Sequence, residues 1–110
     1  MIRLDKQFSI FLDNRPGMLS RTCQALAREA VNILALSISD TVDHAVIRMV
    51  TNDAKKTGTI LQPLHVTVHE RDVVLMDVPN RPGTMAEIAQ KLAAAGINLE
   101  YAYCTASASQ

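Results

Sequence analysis

At 110 residues the chain fits one compact domain, or two very small ones sharing an interface. Apolar residues make up 48% and charged residues 20%, a balance that argues for a packed core and against disorder. Eleven basic and eleven acidic residues cancel, which leaves no electrostatic footprint for nucleic acid or an anionic membrane.

The first predicted strand carries Phe8, Ile10 and Leu12 in alternation with Gln7, Ser9 and Phe11, the period of a half-buried strand. Asn14-Arg15-Pro16-Gly17 ends it, because proline removes a ladder donor and glycine allows a backbone shape other residues resist. Proline also suits the first turn of a helix. In the helix that follows, Leu19, Thr22, Cys23, Leu26 and Ala30 form one stripe, with Arg21, Gln24 and Arg28 opposite. Ala30 stands where a left-handed cap residue belongs, which predicts an end less well capped than one closed by glycine. Asn32 to Leu36 reads as a second strand, Asp40 to His44 as a turn and Ala45 to Val50 as a third strand. Asn52 or Asp53 caps a short helix through about Gln62, the weakest element because Thr57-Gly58-Thr59 is a poor helical run. His65 to His69 completes a fourth strand.

The pattern then restarts. Val74, Met76 and Val78 alternate as a strand, with Asp72 and Asp77 assigned to its opposite face, and Asn80-Arg81-Pro82-Gly83 repeats the first turn at an offset of 66 residues. That offset also aligns Gln24 with Gln90, Leu26 with Leu92, Ala27 with Ala93 and Asn32 with Asn98. With the four turn residues, eight of the twenty positions from Asn14 to Ile33 are identical without a gap. Met85, Ile88, Ala89 and Leu92 form the second helical stripe, with Glu87, Gln90 and Lys91 opposite, and Gly96 is its cap. Asn98 to Ala102 reads as the next strand. Residues 1–70 therefore predict an α+β, ferredoxin-like βαββαβ module, an antiparallel four-stranded sheet with two helices on one face. Residues 71–110 predict a second module, βαβ, that lacks its third strand, second helix and fourth strand. Part of its helix stripe and at least one strand edge would then lie uncovered, so a homodimer is expected rather than a monomer.

The Asn-x-Pro-Gly turn, with Gly-Ile-Asn opening the next strand, resembles an ACT domain. Asn-Arg-Pro-Gly with a second asparagine eighteen residues on is similar to the regulatory domain of D-3-phosphoglycerate dehydrogenase, and both copies keep the spacing: Asn14 with Asn32, Asn80 with Asn98. As a whole the chain resembles small stand-alone proteins of two tandem ACT domains. The resemblance implies an amino-acid effector held between paired modules. It implies ligand contacts at Asn14, Gly17, Met18, Leu19, Asn32 and Ile33 in the first copy. In the second copy they fall on Asn80, Gly83, Thr84, Met85, Asn98 and Leu99. It also implies a regulatory protein rather than an enzyme, a regulated enzyme among the expected partners, and no cofactor.

Elementary chemistry runs the same way. Free N–H groups at a helix start suit a carboxylate, glycine lets a ligand approach the backbone, and asparagine offers donor and acceptor to a zwitterion. Plainer readings stand beside these. Asn14 and Asn80 also fit simple turn residues, Gly17 and Gly83 fit a purely conformational role, and Arg15 and Arg81 fit solvated loop cations. His44, His65 and His69 read as surface residues without metal-ligand spacing. Met18, Met49, Met76 and Met85 read as core filler, and Tyr101 and Tyr103 as interface. Cys23 and Cys104 lie far apart with no CxxC spacing and no secretory segment before them, and read as buried thiols of a cytoplasmic protein. The alternative functions are a ferredoxin-like small enzyme of acylphosphatase type, for which the turn lacks a glycine-rich cradle, and a purely structural oligomerisation module. An RNA-binding sheet is disfavoured by two Phe, two Tyr and no Trp.

Overall fold

A computed structural model describes residues 2–13, 15–40, 44–97 and 103. Strand β1 (Ile2–Asp13) leads into helix α1 (Met18–Arg28), then β2 (Ile33–Asp40), β3 (His44–Thr51), α2 (Ala54–Leu61), β4 (Thr67–Met76) and α3 (Thr84–Ala94). A single 3-10 turn, Gln62–Leu64, joins α2 to β4. The four strands form one antiparallel sheet in the order β2-β3-β1-β4, the arrangement expected of the first copy. Its predicted turn at Asp40 to His44 falls largely on residues outside those described.

The core lies on one face of this sheet. Phe8, Ile10 and Leu12 of β1 and Ile47 and Met49 of β3 are buried with Leu26 of α1, Val31 and Leu61 of α2. The stripe on α1 behaves as its spacing requires: Thr22 and Leu26 are buried, while Arg21, Gln24 and Arg28 are exposed. The doubtful helix α2 forms because local polar groups hold it. The Asp53 side chain accepts from the Lys56 N–H at 3.0 Å, and the buried hydroxyls of Thr51 and Thr57 lie 2.7 Å apart. Such caps offset about 1 kcal/mol of poor propensity.

Several expectations are corrected. The fourth strand does not stop at His69. Thr67–Met76 is one strand, so it runs through residues 70 and 71 into what was read as the start of the second copy, and it ends at Met76 rather than Val78. Asp72 is in phase with Val74, not opposite it, because the pairs Lys6↔Asp72 and Leu4↔Val74 fall on the same side of the ladder. Met49 is core, whereas Met76 and Met85 are exposed. Ala30 nevertheless forms the cap hydrogen bonds, at the strain an alanine meets at φ +57, with Val31 N–H donating to the Leu26 carbonyl at 3.0 Å and Ala30 N–H to that of Ala27 at 3.0 Å. Gly96 makes the same two bonds through Ile97 to Leu92 and Gly96 to Ala93, at 2.9 and 3.0 Å. Both helices thus end in a complete Schellman motif.

The long ladder relates the two copies. β1 and β4 pair continuously from Ile2↔Met76 to Phe11↔Thr67. At the rung Lys6↔Asp72 the partners are 66 residues apart, which is the repeat offset. A local two-fold axis through that rung carries each residue of β1 onto its counterpart in β4. Leu4 and Ile2 thereby stand beside Val74 and Met76 as Glu70 and Val68 stand beside Phe8 and Ile10. The burial does not follow the symmetry. Phe8 and Ile10 are 2% and 0% exposed, but Leu4 is 76% and Val74 56% exposed, and none of α3's residues is buried. On the other sheet face Gln7 is buried, and the Tyr103 hydroxyl donates to its Oε1 at 2.9 Å. No helix of the described residues is long and apolar enough to cross a membrane.

Candidate functional site

The strand-to-helix turn is built twice with the same backbone. Arg15 N–H donates to the Asp13 carbonyl at 2.8 Å, Met18 to Arg15 at 3.4 Å and Arg21 to Gly17 at 2.9 Å. Sixty-six residues on, Arg81 donates to Pro79 at 3.1 Å, Thr84 to Arg81 at 3.4 Å and Glu87 to Gly83 at 3.0 Å. Gly17 and Gly83 sit at φ +88 and +89, a region L side chains resist, and a Cβ placed on either meets nothing within 4 Å. The glycines are therefore required by conformation, and the space above them is open. Neither helix start has a side-chain cap.

Of the residues expected to bind ligand, Gly17, Met18 and Leu19 lie at the start of α1, and Gly83, Thr84 and Met85 at the start of α3, with Asn80 just before that turn. Asn32 and Ile33 lie beyond the other end of α1. The eleven residues of that helix span about 16 Å, so one module does not bring the two sets together. The Asn32 N–H donates across the hairpin to Asn52 Oδ1 at 2.9 Å, and the Asn32 carbonyl accepts from the Asn52 N–H at 3.0 Å. Asn14, Asn98 and Leu99 lie outside the described residues, as do Tyr101 and Cys104. Cys23 is half-buried, and burial pushes its thiol pKa up.

The described residues also form a cleft that sequence reasoning missed. It lies at the C-terminal end of β1, against the start of α1 and the entry to β4, with a volume of about 220 Å3. Phe11, Met18, Leu64 and Val66 supply its apolar lining, and Asp13, Arg15, Arg21 and His65 its polar lining. The Arg15 guanidinium lies 3.7 Å from the Asp13 carboxylate and donates to Met18 Sδ at 3.5 Å. These residues come from two segments far apart in sequence, 11–21 and 64–66, so only the sheet order reveals them as neighbours. Arg15 and His65 carried the signal but read as solvated groups, and both are exposed.

The family model for an ACT domain pair matches residues 4–108. Protein BT0572 from Bacteroides thetaiotaomicron is 36% identical over 96% of this chain and 74% of its own, with a TM-score of 0.89. The ligand-free regulatory subunit of aspartate kinase from Thermus thermophilus matches over 96% of this chain and 81% of its own, with a TM-score of 0.73 and 17% identity. The corresponding subunit from Thermus flavus is 20% identical, over 96% and 80%, with a TM-score of 0.68. At those identities the two subunits share the fold. No curated protein matches the chain.

Proposed function

This chain belongs to the family of ACT domain pairs, and from that premise we propose that it is a regulatory protein that binds an amino acid between paired modules. Its two modules adjoin within the strand Thr67–Met76, and each carries one copy of the turn. The observation that carries the proposal is the doubled turn, two identical backbone frames with open space over Gly17 and Gly83. A carboxylate docks there against helix N–H groups that no side chain caps, a contact worth up to about 2 kcal/mol when partly buried.

Asn32 and Ile33 lie a helix length away from Gly17, so a second module supplies the opposite wall of the site. That wall comes from another copy, which makes the working form a homodimer. Exposed Ile2, Leu4, Val74 and Met76 give an apolar surface that such association covers. The output is a change in a partner enzyme, in keeping with solved relatives named as regulatory subunits of aspartate kinase. A thermal-shift screen over the twenty amino acids tests the proposal, because a ligand selective for the native state stabilises it by RT ln(1 + [L]/Kd).

A further inference from the structure

The cleft beside Gly17 carries more charge than an uncharged amino acid can use. Its lining holds one carboxylate, Asp13, and two guanidinium groups, Arg15 and Arg21, around the apolar walls of Phe11, Leu64 and Val66. Asp13 and Arg15 lie 3.7 Å apart, so the ammonium and α-carboxylate of an amino acid extend that pair and leave Arg21 without an anion. An acidic side chain supplies the missing anion, and arginine binds carboxylates in a planar, two-point geometry. The volume of about 220 Å3 falls below the roughly 300–1,000 Å3 of drug-sized sites, as suits a small molecule of this kind.

The second copy is the internal control. Its turn has the same backbone hydrogen bonds, yet Pro79 stands at the position of Asp13 and Glu87 at that of Arg21. Thr84, in place of Met18, donates its hydroxyl to the Pro79 carbonyl at 2.9 Å. The frame is shared and the charges are not, so the charges of the first copy are not needed to build the turn.

We infer that the cleft of the first copy selects an amino acid with an acidic side chain, its ammonium on Asp13 and its two carboxylates on Arg15 and Arg21. This rests on the amino-acid-binding reading above. The test is titration calorimetry of the full chain with L-aspartate, L-glutamate and their uncharged amides, asparagine and glutamine. One acid binds at least tenfold more tightly than its amide. Arg21→Gln abolishes that preference while the far-UV circular dichroism melt is unchanged, and Arg21→Lys retains it. Equal or tighter binding of an amide, or a preference that survives Arg21→Gln, overturns the inference while leaving the amino-acid reading standing. Failure of all twenty amino acids to bind overturns both.

Discussion

Lys6 and Asp72 face each other across the β1–β4 ladder, and the Lys6 ammonium donates to the Asp72 carboxylate. Their separation of 66 residues equals the offset of the sequence repeat, so the pair marks the local two-fold axis between the copies. Like charges at directly opposed strand positions are destabilising. Lys6→Asp alone therefore lowers the melting temperature, and Lys6→Asp combined with Asp72→Lys recovers most of the loss. A double variant no more stable than the single one would refute the register. The hydrogen bond that Lys6 donates to Asp72, and then the charge of Asp72, raise the Lys6 pKa above the ordinary lysine value. A raised folded-state pKa means that the pair's contribution is complete at neutral pH. It is lost only as pH rises past the ordinary lysine value and through the raised one.

Ala30 and Gly96 occupy equivalent left-handed positions at φ +57 and +73. An alanine pays strain there that a glycine does not. Ala30→Gly stabilises by about 1 kcal/mol, net of the extra chain entropy of glycine. Gly96→Ala destabilises by a similar amount. Urea denaturation reads both as a shifted midpoint at constant slope. A lower midpoint for Ala30→Gly would contradict the cap.

Gly83→Val costs about 1–2 kcal/mol of stability, from backbone strain at positive φ. The added Cβ itself meets no atom within 4 Å. The side chain enters the open space over the turn, so ligand binding falls further than folding does. Thermal melts with and without saturating amino acid separate the two effects. An equal loss in both would assign Gly83 to conformation alone.

Asn80→Ala and Asn32→Ala each weaken ligand binding by about 1–3 kcal/mol, the cost of an unpaired buried polar group, or about 5- to 150-fold. Asn80 lies on the surface before its turn, and its loss leaves the fold intact. Asn32 engages Asn52 through its backbone alone in the described contacts, so its side chain too can be removed without loss of structure. Titration calorimetry checks both. Wild-type affinity in both variants would make the asparagines structural.

Local chemistry was the most legible part of the sequence. Asn-Arg-Pro-Gly twice in phase announced two turns, and the spacing of Thr22 and Leu26 announced the buried side of α1. What local pattern misses is pairing. Glu70, Arg71 and Asp72 interrupt the apolar alternation and read as a break between strands. Opposite them, however, lie Phe8, Gln7 and Lys6, and the ladder carries the chain straight through. The same blindness hid the cleft, since nothing local connects Arg21 on α1 with His65 in the turn before β4. The cap at Ala30 escaped for a different reason. Propensity disfavours alanine at positive φ, but burying Val31 beside Leu26 holds the turn in place.

The central claim is that this chain binds an amino acid, and differential scanning fluorimetry across all twenty tests it most directly. One amino acid, or a chemically related few, should raise the melting temperature in a saturable way. At a hundredfold excess over Kd the stabilisation is about 2.7 kcal/mol, and a 100-residue domain shifts by roughly 4–8 °C for each kcal/mol. A flat response to every amino acid at millimolar concentration would contradict the account.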